Sequence, residues 1–330
     1  MNNRPRRLRR TAQLRNLVAE TRVSKDSLIY PLFVTAKRDA KDEISAMPGQ
    51  YHWGVDRLPE LLDRLAALGV KSLLFFGLPD HKDEIGSSSW DENGPVQQAL
   101  RCARFRHPEM TLIADVCLCE YTSHGHCGCL KQDDRGSWTV DNDATLPLLA
   151  RAALSLLDAG ADAAAPSDMM DGRVAALRQE MDRQGFLDRA IFSYAAKFAS
   201  SFYGPFRQAA GSAPAVGDRK SYQMDPRNGR EAIKEALLDE DEGADVLIVK
   251  PGLAYLDVVA RLRERTDLPI ASYWVSGEYS MIKAAAARGW IDERAVTCEA
   301  ATSIIRAGAG MIITYSAPEL AGWIDEGFLR

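Results

Sequence analysis

The chain has 330 residues, 46% hydrophobic and 26% charged, and carries a net charge of −5. That length suits one large α/β domain, and the composition is that of an ordinary globular protein. The acidic balance argues against a general nucleic-acid-binding surface, and no run of 18 apolar residues marks a membrane span.

The chain opens on an arginine-rich stretch, with seven arginines in the first 22 residues. No apolar segment accompanies them as a signal peptide would require, so a cytoplasmic location is expected. The stretch reads either as a nucleic-acid arm or presequence, or as an extended arm that packs on another subunit. Its shortness and the acidic remainder favour the arm. Residues 1–24 are therefore expected to form an arm for subunit contacts, and 25–330 a single catalytic domain.

Beyond the arm, apolar runs alternate with helix-period runs. Strands are predicted at 28–34, 71–76, 111–116, 162–166, 190–194, 246–250, 270–275 and 311–315. Between them lie amphipathic stretches such as VDRLPELLDRLAALG, TLPLLARAALSLLDAG and GREAIKEALLDEDEG. Several end in glycine just before the next strand, as a helix C-cap would. Near-continuous apolar strands separated by helices imply a parallel sheet covered by helices. Eight such units point to a (β/α)₈ barrel. A doubly wound sheet is disfavoured, because no glycine-rich phosphate turn follows the first strand. The long connections, 77–95, 117–144 and 195–228, all follow predicted strands, where barrel active sites are built.

The connection after the third strand carries the densest chemistry. Residues 115–130, DVCLCEYTSHGHCGCL, hold four of the six cysteines and two of the five histidines. The spacing is C-x-C-x₇-C-x-C, from Cys117, Cys119, Cys127 and Cys129, with His124 and His126 between. Thiolate and imidazole are ligands that zinc prefers, and in a reducing compartment clustered cysteines are more often ligands than disulfides. A reduced thiol cluster without metal is the alternative. Four protein ligands would make a structural site; three would leave a position open for chemistry.

Two lysines stand at strand ends. Lys250 terminates VLIVK, and Lys197 follows AIFSY. Desolvation and a neighbouring cation both lower a lysine pKa, and a neutral amine can attack a carbonyl to form a Schiff base. A strand-end cation reaching for solvent is the plainer reading of either lysine alone. Two of them on adjacent strands face one mouth, and each is expected to depress the other's pKa. The 195–228 connection adds Tyr203, Arg207, Arg219, Lys220 and Gln223. Arginine forks bind carboxylates, and FASSFYGPF suits a lid. Asp115, Ser167, Asp168, Ser276 and Tyr315 also sit at strand ends. Together these describe a mouth for anionic carbonyl substrates, handled by imine chemistry with metal assistance.

The motifs DVCLCEYTSHGHCG, APSDMMDGR, KFASSFYGPFR, GDRKSYQM, VKPGLAYLD and VSGEY, taken together, resemble one family, porphobilinogen synthase (5-aminolevulinate dehydratase), over nearly the whole chain. The resemblance implies a (β/α)₈ TIM barrel with an extended N-terminal arm, usually an octamer. It implies condensation of two molecules of 5-aminolevulinate into porphobilinogen in tetrapyrrole (haem) biosynthesis. Lys250 matches the lysine that holds the first substrate as a Schiff base, and Lys197 the lysine that engages the second. Arg207 and Arg219 match the pair that binds the second substrate's carboxylate. Ser276 and Tyr315 match the groups that bind the first one's. Gln223, Ser167, Tyr203 and Tyr273 are carried over as further substrate contacts. Cys117, Cys119 and Cys127 match three ligands of a catalytic Zn2+, with His124 and His126 supporting and Asp115 an orienting or proton-handling carboxylate. Glu235 matches an acidic residue that binds allosteric Mg2+; read from the sequence alone it is an exposed helix carboxylate. Two positions depart from the family pattern: Cys129 is a fourth cysteine where an apolar residue is expected, and Trp274 stands where a smaller polar residue is usual. A class I aldolase-like barrel and a non-catalytic zinc- or redox-responsive scaffold are the competing readings. The first has no use for a thiolate site; the second has no use for two lysines.

Overall fold

Strands such as LIYPLFV and VLIVK are apolar at consecutive positions because both of their faces are buried. On VLIVK, Val246 and Ile248 point to one apolar layer, and Leu247 and Val249 to the other. The first layer fills the inside of a closed barrel; the second lies between the barrel and its helices. In the computed structural model, which describes residues 3–329, eight parallel strands form that barrel. They are β1 Leu28–Thr35, β2 Ser72–Leu78, β3 Thr111–Val116, β4 Ala163–Pro166, β5 Ala190–Lys197, β6 Val246–Lys250, β7 Ile270–Trp274 and β8 Met311–Thr314. Each pairs with the next, and β8 returns to β1 with Leu28 opposite Ile312 and Ile29 opposite Ile313. The architecture is the expected (β/α)₈ barrel, and closure excludes the doubly wound sheet.

The interior is packed by Ile29, Phe33, Leu74, Phe76, Ile113, Ile248 and Ile313. Helices such as Leu58–Leu68 lay their apolar stripe, Leu58, Leu61, Leu62 and Leu65, on the outside of the sheet. Gly69 ends that helix with a φ of +77°, which suits a residue without a Cβ.

The expected elements differ from the observed ones in instructive ways. The fifth strand runs on to Lys197 rather than stopping at 194. The rest of the 195–228 connection contains a helix, Gly204–Ala209, and so is not an open loop. The 117–144 connection includes a small antiparallel hairpin, Leu130–Gln132 with Trp138–Val140. The arm is partly helical, with a 3₁₀ turn at Pro5–Arg9 and a helix at Ala12–Leu17, and neither buries a residue. Trp274 is fully buried in the layer between barrel and helices, because alternation along β7 sends Tyr273 inward and Trp274 outward. Its ring therefore does not enter the mouth.

Against the outside of β5 lies a buried ion pair. Arg173 donates from Nη1 and Nη2 to the two Asp239 carboxylate oxygens at 3.0 and 2.8 Å, and from Nη2 to Ser193 Oγ at 3.1 Å and the Tyr194 carbonyl at 3.2 Å. Ser193 Oγ in turn donates to Asp239 at 2.5 Å. Truncating one partner of such a pair strands the other charge. Arg173→Met is expected to lower unfolding free energy by ~3–5 kcal/mol. Urea unfolding followed by circular dichroism measures this, and a loss below ~1 kcal/mol would show the pair to be dispensable.

Candidate active site

The arrangement of the mouth begins with one irregularity in a strand. Leu247 of β6 pairs with Ser193 of β5, but Val249 pairs with Ala196, so β5 carries one extra residue between the two pairings. Without this bulge, Tyr194 and Lys197, three positions apart, would face opposite sides of the sheet. With it both face inward, and the Lys197 ammonium lies 5.6 Å from the centre of the Tyr194 ring. Lys197 and Lys250 then stand directly opposite each other at the ends of β5 and β6.

The two amines occupy different surroundings. Lys250 is 4% exposed and sits among aromatic rings, 4.2 Å from Tyr273, 4.9 Å from Tyr194 and Phe206, and 5.5 Å from Tyr203. Burial, reinforced by Lys197, pulls its pKa down to about 7. Lys197 is equally buried and donates to the Ser167 carbonyl. Burial also disfavours its charge, but the negative charge of the cysteine cluster, Cys127 foremost, outweighs burial and pushes its pKa up. The expected mutual depression thus operates on Lys250 alone.

The thiolates responsible come from the connection after β3. The sulfurs of Cys117, Cys119 and Cys127 lie within 4.8 Å of one another, with Cys117 and Cys119 at 3.3 Å, and all three are buried. A zinc ion with bonds of about 2.3 Å would hold its sulfurs about 3.8 Å apart, so the trio fits a tetrahedral thiolate site with one open corner. Among the described residues this is the one trio of metal-type ligands. Cys129 stands outside it, half-buried, with its backbone N–H on Thr145 Oγ1 at 3.0 Å. The histidines are engaged elsewhere. His126 reaches Tyr222 Oη at 3.0 Å and the Val216 carbonyl at 2.7 Å, and His124 contacts the Glu84 carbonyl at 3.0 Å. The His124 ring holds the cysteine loop to the connection after β2, and the His126 ring holds it to the connection after β5. Gly125, at φ +70°, allows the same approach, since a Cβ there would run into the Ala213 carbonyl.

That connection closes the mouth. Arg219, 5% exposed, donates to the Gly125 and Ser212 carbonyls at 2.8 and 2.6 Å, tying the two loops together. A narrow cleft remains, lined by Lys197, Lys250, Arg207, Arg219, Cys119, Glu120, Ser167, Tyr203, Phe76 and Phe206. Tyr273 and Tyr315 share a hydroxyl contact of 3.1 Å, and Ser276 Oγ accepts from the Phe206 N–H at 2.9 Å. Tyr203 donates to the Lys250 carbonyl at 3.2 Å. The Gln223 amide is buried with neither its oxygen nor its nitrogen partnered, so both remain free for a ligand. Asp115 accepts from Ser167 Oγ at 3.1 Å, and burial, with Glu120 adding to it, raises its pKa to about 8. Glu235 lies apart from the cleft, half-buried on the helix Gly229–Asp241, where burial and then Asp171 and Asp239 raise its carboxyl. The sequence reading passed over Tyr194, Phe206 and Glu120. Tyr194 has the wrong strand parity for the mouth, and Glu120 has no motif role beside the cysteines.

The model of the family described as delta-aminolevulinic acid dehydratase matches residues 2–323. The chain belongs to the delta-aminolevulinic acid dehydratase family. It is 50% identical to the delta-aminolevulinic acid dehydratase of Halalkalibacterium halodurans over 98% of this chain and 97% of that one. It is 49% identical to the Staphylococcus epidermidis dehydratase over 98% and 99%. Among solved structures it is similar to the delta-aminolevulinic acid dehydratase (porphobilinogen synthase) of Toxoplasma gondii in complex with the reaction product porphobilinogen. That match has a TM-score of 0.95 and 44% identity, covering 99% of this chain and 92% of that one. No described helix is long and apolar enough to cross a membrane.

Two outcomes test the dehydratase site directly. Cys119→Ala should abolish tight zinc binding, while Cys129→Ala should retain it, in a chelating-dye competition; equal loss in both would place Cys129 in the cluster. A lysine whose pKa is depressed gains its neutral, reactive form as pH rises through that value. Acetylation of Lys250 by a trace of acetic anhydride should therefore rise with pH up to about 7 and then level off. A rise continuing beyond pH 9, read by peptide mass spectrometry, would contradict a depressed amine.

Proposed function

We propose that this chain condenses two molecules of 5-aminolevulinate into porphobilinogen, with loss of two molecules of water, through imines on Lys250 and Lys197. The observation that carries the reading is the pairing of two buried lysines, in register on neighbouring strands, in one cleft with three clustered thiols.

Lys250 is suited to attack the ketone of the first substrate. Its low pKa leaves a substantial neutral fraction near pH 7, and the surrounding aromatic faces favour the cationic iminium that follows. Ser276 and Tyr315 lie on the β7–β8 side of the mouth, where they would take the first carboxylate. Arg207 and Arg219 line the cleft with Lys197 and would take the second. Gln223 lines the adjacent cavity with Tyr222 and Glu235, its amide still unpartnered. Asp115, held neutral by burial near pH 7, is placed to give and recover a proton through Ser167. Cys117, Cys119 and Cys127 would hold a zinc ion, which supplies a Lewis acid beside the second substrate. Thiolate charge shared with a cation no longer holds the Lys197 proton, so Lys197 would become reactive only when the cluster is loaded.

A second cation, magnesium, would sit at Glu235, where it would relieve the crowding of that carboxylate by Asp171 and Asp239. Its remaining ligands would come from water or a second copy. Residues 1–24 would form the arm that packs on a neighbouring subunit in a homo-octamer, since the turn and helix within it bury nothing on their own barrel. Residues 25–330 would form the single catalytic barrel, working in the cytoplasm on a small-molecule substrate.

Purified protein supplied with 5-aminolevulinate should form a pyrrole, read by the aldehyde colour reaction, and chelation of zinc should stop it reversibly. Lys250→Ala should abolish pyrrole formation with zinc still bound. No pyrrole from zinc-loaded wild-type protein would overturn the proposal.

A further inference from the structure

Between β1 and the helix Leu58–Leu68 the chain makes an antiparallel hairpin, Lys41–Glu43 with Tyr51–Gly54. Its second strand also pairs alongside β1, with His52 opposite Phe33. The turn that joins the two strands is folded on itself. The Ile44 N–H donates to the Gln50 carbonyl at 2.8 Å, and the Gln50 N–H to the Met47 carbonyl at 3.0 Å. Ile44 and Met47 are buried in the same apolar layer as Tyr273, Tyr279 and Tyr315. The site described so far gives this turn no task.

Gln50 is 4% exposed, and its side-chain bonds all run into the barrel wall. Tyr30 Oη donates to its Oε1 at 2.8 Å. Its Nε2 donates to Tyr279 Oη at 3.2 Å and to the Tyr315 carbonyl at 3.3 Å. The amide can stand only this way round, because a carbonyl accepts and never donates. Tyr279 in turn donates to the Pro48 carbonyl at 2.5 Å, and Ser280 Oγ to the Ala46 carbonyl at 2.7 Å. The turn is thereby fastened to the helix Ser276–Ala287 as well.

Tyr315 needs such a hold. It stands between β8, which ends at Thr314, and the helix Ala317–Asp325, outside both elements. Its ring is stacked on Phe33 at 6.2 Å and lies 5.7 Å from Tyr279, and its hydroxyl meets Tyr273 Oη. These contacts set the plane of the ring, while Gln50 bonds the backbone from which the ring hangs. Ser276 opens the helix that carries Tyr279. One amide therefore bonds both elements that would receive the first carboxylate.

We propose that Gln50 is a positioning residue of the first-substrate site, holding Tyr315 and the Ser276 helix in the geometry that receives the substrate carboxylate. The inference rests on the carboxylate role proposed above for Ser276 and Tyr315, and it adds a residue from the hairpin turn that sets affinity there. Gln50 acts through Tyr315 rather than by touching substrate.

The test uses levulinate, which has the carboxylate and ketone of 5-aminolevulinate and lacks its amine. Levulinate is captured on Lys250 by borohydride over a range of concentrations and read by peptide mass spectrometry. The proteins are wild type, Gln50→Leu, Tyr315→Phe and the double variant. Gln50→Leu should raise the half-saturating concentration about threefold to tenfold, the worth of one neutral hydrogen bond. In the Tyr315→Phe background the same substitution should change it by less than about twofold, because the hydroxyl that Gln50 positions is already gone. Gln50→Glu keeps an acceptor for Tyr30 and loses both donors; it should match Gln50→Leu, and it replaces that variant if the leucine protein does not fold. A lowered urea midpoint with unchanged half-saturation would overturn the inference, since the bonds would then serve stability alone. So would an equal effect in both backgrounds. Wild-type protein that captures no levulinate on Lys250, or a Tyr315→Phe protein with unchanged half-saturation, would instead overturn the reading on which the inference rests.

Discussion

Side chains alternate across a β-strand, so Tyr194 and Lys197 belong on opposite faces of β5 unless the strand is interrupted. The one-residue bulge between the Ser193 and Ala196 pairings supplies that interruption. It turns Lys197 into the barrel opposite Lys250 and keeps Tyr194 there as well. Bulges near active sites re-aim single side chains in this way, and here the amine that faces the thiols depends on it. The Arg173–Asp239 pair braces this stretch from outside, with Arg173 bonding Ser193 Oγ and the Tyr194 carbonyl, the residues at which the register changes. A buried ion pair that adds little net stability has a use here in holding a strand register.

From that register follows an electrostatic division of labour between identical residue types. Lys250 is desolvated beside a neighbouring cation, and its charge is disfavoured. Lys197 meets thiolates, and its charge is supported. Two lysines a strand apart are thereby made unequal, as a reaction joining two copies of one substrate asymmetrically requires. The connection after β5 carries this further. Arg219 and His126 bind the β5 connection to the cysteine loop, so the buried guanidinium and the metal-type thiols belong to one connected structure.

Much of this was legible in the sequence. Apolar runs at eight positions and glycine-ended helices sufficed for the barrel, because a strand buried on both faces has no polar alternation to obscure it. The cysteine spacing and the two strand-end lysines pointed to the mouth by chemistry alone. What escaped was whatever depends on register and on through-space neighbours. The apolar run AIFSY implies a strand ending at 194, whereas β5 continues through AAK to Lys197. The bulge has no signature in that stretch, and so the roles of Tyr194 and Phe206 around Lys250 were invisible. The direction of the Lys197 shift needed the thiolates in place. Trp274 drew attention as a departure near the mouth, but alternation along β7 buries it on the helix side, a question only the structure resolves.

The central claim is that both lysines form imines and that they differ in what they require. Borohydride trapping with isotopically labelled 5-aminolevulinate, followed by peptide mapping, tests it most directly. Zinc-free protein should carry label on Lys250 alone, and zinc-loaded protein on Lys250 and Lys197. Label on neither lysine, or on Lys197 in the absence of zinc, would contradict the account.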